Sequence, residues 1–198
     1  MKNFDKDSLC SSCNSVVQSH DGILVGQKSG EYDYLCTKCY NESIAEYLGI
    51  NFEHISFEPI TVSDTDGVEH TFHFSIRLLP NMVIIRAVEM KEGIQDGYEF
   101  HVNDDAEEDL FYVFKKLFEK IKRAMKQKHI RCDNSMKYEI TDEGVVRGYI
   151  TSSLEDERNL PLLVIDGKNV TWDEFGKMLT VYEGFNFKME IFDKIEEE

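Results

Sequence analysis

The sequence predicts an α+β protein made of three successive parts, and three observations carry that prediction. Two CxxC pairs, Cys10-Ser11-Ser12-Cys13 and Cys36-Thr37-Lys38-Cys39, stand a short polar stretch apart near the start. From Val68 to Leu78 apolar and polar residues alternate with the period of a half-buried strand. A long segment beyond residue 104 repeats its apolar residues at spacings of three and four, the period of an amphipathic helix. The expected organisation is a four-cysteine finger over 1–50, an antiparallel β-meander packed on a long helix over 51–132, and a ββ-β-α-β module over 133–198.

Four thiolates close the tetrahedral shell of a zinc ion, so Cys10, Cys13, Cys36 and Cys39 are read as ligands of one structural Zn2+. A closed shell leaves no position for substrate or activated water, and no catalytic residue is assigned. Ile23-Leu24-Val25 and Tyr32-Asp33-Tyr34-Leu35 bracket Gly26-Gln27-Lys28-Ser29-Gly30, which predicts a hairpin returning the second knuckle to the first. After Cys39, a helix is expected from Tyr40 to Leu48, with Tyr40, Ile44, Tyr47 and Leu48 on one face and Gly49 at its end. Knuckle, hairpin, knuckle, helix is the order of a treble-clef or zinc-ribbon-like finger. The fifth cysteine, Cys132, is read as an inert small hydrophobe.

In the meander, Val68, His70, Phe72, Phe74, Ile76 and Leu78 define a buried face, and the strand Met82 to Met90, apolar on both faces, belongs in the middle of the sheet. Flanking strands are expected over Ile55 to Val62 and around Tyr98, Phe100 and Val102. Turns are expected at Asp64-Thr65-Asp66-Gly67, Pro80-Asn81 and Asp96-Gly97. His70 and His73 point to opposite faces of one strand and cannot share an ion. The 64–67 turn also lacks the carboxylates a calcium loop needs at its first and twelfth positions.

The long helix is expected to be capped by Asn103 or Asp104, with Glu107, Glu108 and Asp109 in its first turn and Lys126, Lys128 and His129 in its last. Leu110, Phe111, Phe114, Leu117, Phe118, Ile121 and Met125 form its apolar stripe, and Lys115, Lys116, Lys120, Lys122, Arg123, Lys126 and Lys128 its basic face. The last third predicts a hairpin of Met136 to Ile140 with Val145 to Thr151, a polar loop over 152–159, and a buried strand Leu160 to Ile165 ended by Asp166-Gly167. A helix follows, capped by Thr171 and Glu174 with Val170 and Phe175 as a hydrophobic staple, and ended by Gly184. Phe185, Phe187, Met189 and Ile191 alternate in an expected closing strand, followed by a loose acidic tail.

Ile165-Asp166-Gly167, Thr171-Trp172-Asp173-Glu174-Phe175-Gly176 and Glu183-Gly184-Phe185 resemble a family of uncharacterised bacterial proteins that pairs an N-terminal cysteine-rich finger with a C-terminal module of this IDG, TWxEFG and EGF pattern. The resemblance implies a bacterial cytoplasmic protein with zinc on its four cysteines, and it carries over no established activity.

The net charge is −16, and only the stretch 105–132 carries more base than acid. A protein that neutralises phosphates presents a basic face, so the balance disfavours nucleic acid as partner and points to another protein, basic in charge. The N-terminus carries no secretory h-region and no stretch is apolar enough to span a bilayer, which predicts a cytoplasmic chain without membrane contact. In such a reduced compartment the glycosylation patterns at Asn41-Glu42-Ser43 and Asn169-Val170-Thr171 go unused. The expected function is that of a zinc-stabilised, acidic, non-catalytic interaction protein. Two alternatives stay open: an enzyme whose site assembles from distant residues, for which convergence of His73, His101 or acidic groups in a pocket would argue, and nucleic-acid binding through finger and basic helix.

Overall fold

The computed structural model describes residues 8–27, 30–132, 137–152 and 159–193. The expected tip of the first hairpin, Met136, most of the 152–159 loop and the acidic tail lie outside the described residues. The fold is α+β, with three α-helices and several small antiparallel sheets.

In the finger, the first knuckle is a tight loop closed by a bridge between Leu9 and Val16 and by Cys10 N donating to Ser15 O at 2.9 Å. Ser11 N donates to Tyr34 O at 2.8 Å, which docks the knuckle on the following hairpin. That hairpin pairs β1 (Gly22–Gly26) with β2 (Tyr32–Cys36) and sets Gly22 opposite Cys36. Helix α1 spans Thr37–Leu48, three residues earlier than the sequence suggested, because Cys36 itself is the N-cap and its Sγ accepts from Cys39 N. Gly49 ends it in the left-handed conformation, as expected. The buried face runs through Thr37, Asn41 and Ala45, while Tyr47, expected on the apolar face, is 85% exposed.

The meander forms one sheet in the order β3 (Ile60–Ser63), β4 (Glu69–Leu79), β5 (Met82–Lys91), β6 (Ile94–Asp105). Strand β5 is interior, as its two apolar faces require. The stretch 52–57 is not strand: Phe52, Ile55 and Phe57 instead fold over the core, with Phe57 stacked on Phe114 at 4.0 Å. The expected turn at Asp96-Gly97 lies at Glu92-Gly93, and Asp96 to Tyr98 bulge opposite Glu89. Gly97 takes φ 113°, and a Cβ there would run into the Glu89 carboxylate.

Helix α2 (Leu110–Ala124) begins after the expected caps, because Asp109 caps it by accepting from Tyr112 N at 2.9 Å. Its acidic lead, Glu107 and Glu108, and its basic end, Lys126, Lys128 and His129, fall outside the helix. Val113, Leu117, Ile121 and Met125 pack on Phe72, Phe74, Ile76, Val83, Ile85 and Ala87, while Phe111, expected in the stripe, is 66% exposed. The true stripe keeps Leu117, Ile121 and Met125 and takes in Val113 in place of Phe111.

In the last third, β7 (Ile130–Cys132) pairs with β8 (Tyr138–Ile140), and β9 (Gly148–Ser152) pairs with β10 (Pro161–Ile165), which pairs with β11 (Lys168–Thr171). The expected hairpin between the second and third of these runs does not form. The Thr141–Gly144 turn is present, but Thr141 bonds back to His129 O and Lys128 O and delivers β8 to β7. Cys132 is exposed rather than buried. The capping box on Thr171 and Glu174 forms and starts α3 (Trp172–Leu179); a 3-10 turn, Thr180–Tyr182, follows. Val170 and Phe175 share the small core of this part with Ile130, Ile140, Ile165 and Met178. Residues 183–193 form no strand, and Phe185, Phe187, Met189 and Ile191 are exposed.

A buried polar contact joins finger to sheet. Strand β3 pairs only with residues 69–72 of β4, so the rest of that edge needs another partner. Asn41, fully buried, provides it: its Nδ2 donates to Ile76 O at 2.8 Å and its Oδ1 accepts from Leu78 N at 2.8 Å, as a neighbouring strand would. That burial also removes Asn41 from use as a glycan acceptor. Asn41→Ala should leave two buried backbone groups unpaired at about 1–3 kcal/mol each. Urea unfolding should show a lowered midpoint with unchanged slope.

Candidate metal centre

The Sγ atoms of Cys10, Cys13, Cys36 and Cys39 all lie within 4.8 Å of one another. The first pair comes from the knuckle loop, Cys36 ends β2, and Cys39 sits in the first turn of α1, so three local structures converge on one point. Metal–sulfur bonds of about 2.3 Å in a tetrahedron space the sulfurs about 3.8 Å apart. Cys13 and Cys36 stand at 3.9 Å, and all four are free thiols rather than disulfides. Backbone amides already point at the sulfurs: Cys36 N donates to Cys10 Sγ at 3.4 Å and Cys39 N to Cys36 Sγ at 3.5 Å. The four residues can therefore hold a metal ion.

The thiols are not equivalent. The Ser15 hydroxyl and amide hold Cys13 down at about 6. Burial raises Cys10, but the amides of Cys13, Cys36 and Ser12 outweigh it and leave that thiol lowered. Burial raises Cys36, and it pushes Cys39 up to about 12 with help from the other three sulfurs. Cys13 and Cys10 give up their protons more readily than a free thiol, and Cys36 and Cys39 resist. A cation at the centre removes that resistance, so its binding must release protons. Around the sulfurs the described core is small, Cys10, Val17 and Cys36 with Tyr34, Leu35 and Cys39 partly covered. So small a core needs a staple.

Beside the finger lies a cleft of about 350 Å³, lined by Gln18, His20, Asp21 and Thr37 on one side and by His54, Glu58 and His73 on the other. No motif announced it, because residues 20, 54 and 73 belong to three separate segments. Burial, then His73 and Arg86, lower His20 to about 4, so it is neutral at pH 7; its buried Nδ1 has no partner. The amide of Asn41, oriented by β4, offers its second N–H to His54 Nδ1 at 3.0 Å, which places the imidazole proton on Nε2. Burial and Lys38 lower His54 as well. His73 faces His20 with ring centroids 5.0 Å apart, on the face of β4 opposite His70. His101 is not in the cleft; it bonds Glu99, which also holds Arg86.

On the core side of the sheet is a second group that the sequence did not reveal. Asp64, expected only as a turn residue, accepts from the amides of Asp66 and Val68, and its Oδ2 meets His70 Nε2 at 3.2 Å and Lys128 Nζ at 2.5 Å. His70 Nδ1 meets Glu89 Oε1 at 2.8 Å, and Glu89 accepts from Tyr98 N in the bulge. With a carboxylate on each ring nitrogen, His70 is held as the imidazolium. Asp166 accepts from His129 N and Ile130 N at 2.6 and 2.8 Å, which ties the turn after β10 to the start of β7. Asp166 and Gly167 both take positive φ in the two-residue turn between β10 and β11, and any Cβ on Gly167 would collide with the Tyr98 ring. The IDG run thus has a structural purpose.

The basic face of α2 is largely engaged within the chain. Lys116 pairs with Asp104 at 2.5 Å, Lys120 donates to His101 O, and Lys122 pairs with Glu119.

Three family models match the chain, each described as a domain of unknown function: DUF7685 over residues 9–51, DUF7686 over 53–126 and DUF7713 over 127–196. No curated protein and no solved structure shows a match. The class defined here is an α+β protein of uncharacterised domains with a four-cysteine cluster near its start. Among the described residues no helix is long and apolar enough to cross a membrane.

The buried network dictates a pH profile. Its hydrogen bond to Glu89 raises His70, so that contribution is complete below about pH 6.5 and disappears as pH climbs through the raised value. Asp64 and Glu89 are lowered: burial opposes this, but hydrogen bonds from Lys128 and Val68 to Asp64, and from His70 and Tyr98 to Glu89, outweigh it. Their contribution is complete above about pH 4.5 and disappears on acidification. Stability from the network is greatest between about pH 5 and 6.5. Between about pH 6 and pH 9 the urea midpoint of the wild type should fall, and His70→Gln, in which Lys128 and Lys91 still attend the carboxylates, should flatten that fall.

Proposed function

We propose that Cys10, Cys13, Cys36 and Cys39 hold one structural zinc ion, and that the chain is a non-catalytic interaction protein of the bacterial cytoplasm. The observation that carries this reading is the convergence of four sulfurs and no other donor on one point. Four thiolates suit zinc and complete its shell, so the ion supplies folding energy and has no open position for chemistry. In this reading the zinc staples residues 1–50 to the body of the protein, and the acidic surface of that body, in a chain of net charge −16, receives a basic protein. The engagement of Lys116 and Lys122 of α2 by Asp104 and Glu119, and of Lys128 beyond it by Asp64, weighs against phosphate binding through that helix.

A second reading, a small-ligand or catalytic site, is favoured by one observation, the meeting of His20, His54 and His73 in the finger–sheet cleft. A panel of metabolites that raises the melting temperature of the wild type, but not of His73→Ala, would support it. Equal shifts in both proteins, or none, would count against it.

Elemental analysis of the purified protein should find one zinc per chain. Cys36→Ser should lose the zinc and lower the melting temperature, because the binding energy of such a site is folding energy for its module. A variant with full zinc and an unchanged melt would contradict the four-ligand assignment, and iron in place of zinc would correct the metal.

A further inference from the structure

The last described residues combine strand chemistry with the absence of a strand. Phe185, Phe187, Met189 and Ile191 alternate with Asn186, Lys188 and Glu190, the period-two pattern of a strand with one apolar face. Yet Phe185 is 73% exposed, Phe187 91%, Met189 60% and Ile191 75%, and the backbone joins no ladder. The segment is anchored at its start, where Phe185 N donates to Tyr182 O at 3.0 Å and the two rings meet edge to face. It falls within the DUF7713 match over 127–196, so it is part of the matched domain rather than a trailing end.

The same part of the chain contains an edge that fits it. In the sheet β11–β10–β9, Val170, Leu163 and Ile150 form one row across the three strands. Val170 is fully buried, Leu163 is half-buried, and Ile150 on the outermost strand is 54% exposed. Apolar cover thus thins toward β9, and no described strand pairs with the outer side of β9. The row lacks a fourth residue, and a strand laid there with its apolar side inward would supply one.

We propose that segment 185–191 of one copy of this chain adds to the outer edge of β9 in a second copy, and that the exchange is reciprocal. Each chain offers this donor segment and this β9 edge, so a two-fold exchange closes and fills both β9 edges. The charge of the segment permits it: in a chain of net charge −16, residues 185–191 hold one base and one acid, Lys188 and Glu190, which pair with each other at 2.5 Å. Two donor strands burying four large apolar side chains each would remove on the order of 1,000 Å² from water, the lower threshold for a specific interface. This inference does not depend on the zinc reading.

Sedimentation velocity of the full, metal-loaded chain from micromolar to hundreds of micromolar tests it. The wild type should form a dimer, strengthened by added salt because screening reduces repulsion between the two acidic bodies. Phe187→Asp spoils the donor and Ile150→Asp the acceptor; both positions are exposed, so circular dichroism should show folded proteins, each monomeric. Mixing the two variants leaves one intact donor facing one intact acceptor, and a weaker heterodimer should return. A wild type that stays monomeric throughout would overturn the proposal. So would a dimer that survives either substitution, or variants that fail to complement each other.

Discussion

The crowding of four thiols at one point is the constraint on which the rest of the N-terminal half depends. Cys36 serves two purposes at once, as a member of that cluster and as the N-cap of α1. Whatever fixes its sulfur also fixes where the helix starts, and five residues later the helix delivers Asn41 to the bare edge of β4. The finger is therefore joined to the body through a polar contact whose alignment is set at the cysteines. A cation bound by the sulfurs would do more than hold two loops together: it would position the side chain that completes the sheet.

The rest of the molecule is joined by a different device. Around Tyr98, the bulge in β6, the imidazolium of His70 and the turn at Asp166-Gly167 meet in a buried polar junction. Such a junction is demanding, since each charge needs its partner to offset desolvation. Here Asp64, Glu89 and His70 answer one another, with Lys128 arriving from beyond α2. The hydroxyl of Tyr98 is buried without a partner beside it, the one loose end of the junction among the described residues.

What could be read from the sequence follows the range of the signal. The four cysteines were legible because their chemistry is written in spacing alone, and β4 and β5 because alternation survives any choice of partner. Helix starts were less legible: Asn103, Asp104, Asp105 and Asp109 are all competent caps, and only the extension of β6 to Asp105 decides for Asp109. Pairing was least legible. Tyr138 to Ile140 reads as a strand in either partnership, and the bonds from Thr141 to His129 and Lys128 settle it. The 185–191 alternation predicts a closing strand that the fold does not form, because an alternating pattern does not say whose edge it meets. The histidine cleft and the Asp64–His70–Glu89 group had no local signal, since each gathers residues from separate segments.

The link from cysteines to sheet is tested most directly by hydrogen exchange at Leu78 N, read before and after a chelator strips the metal. That amide donates to Asn41 and lies on another element from any cysteine. The account predicts slow exchange in the loaded protein and a marked acceleration on stripping, together with the amides of α1. Unchanged protection at Leu78, with α1 alone released or nothing released, would show that the sheet edge does not depend on the metal centre.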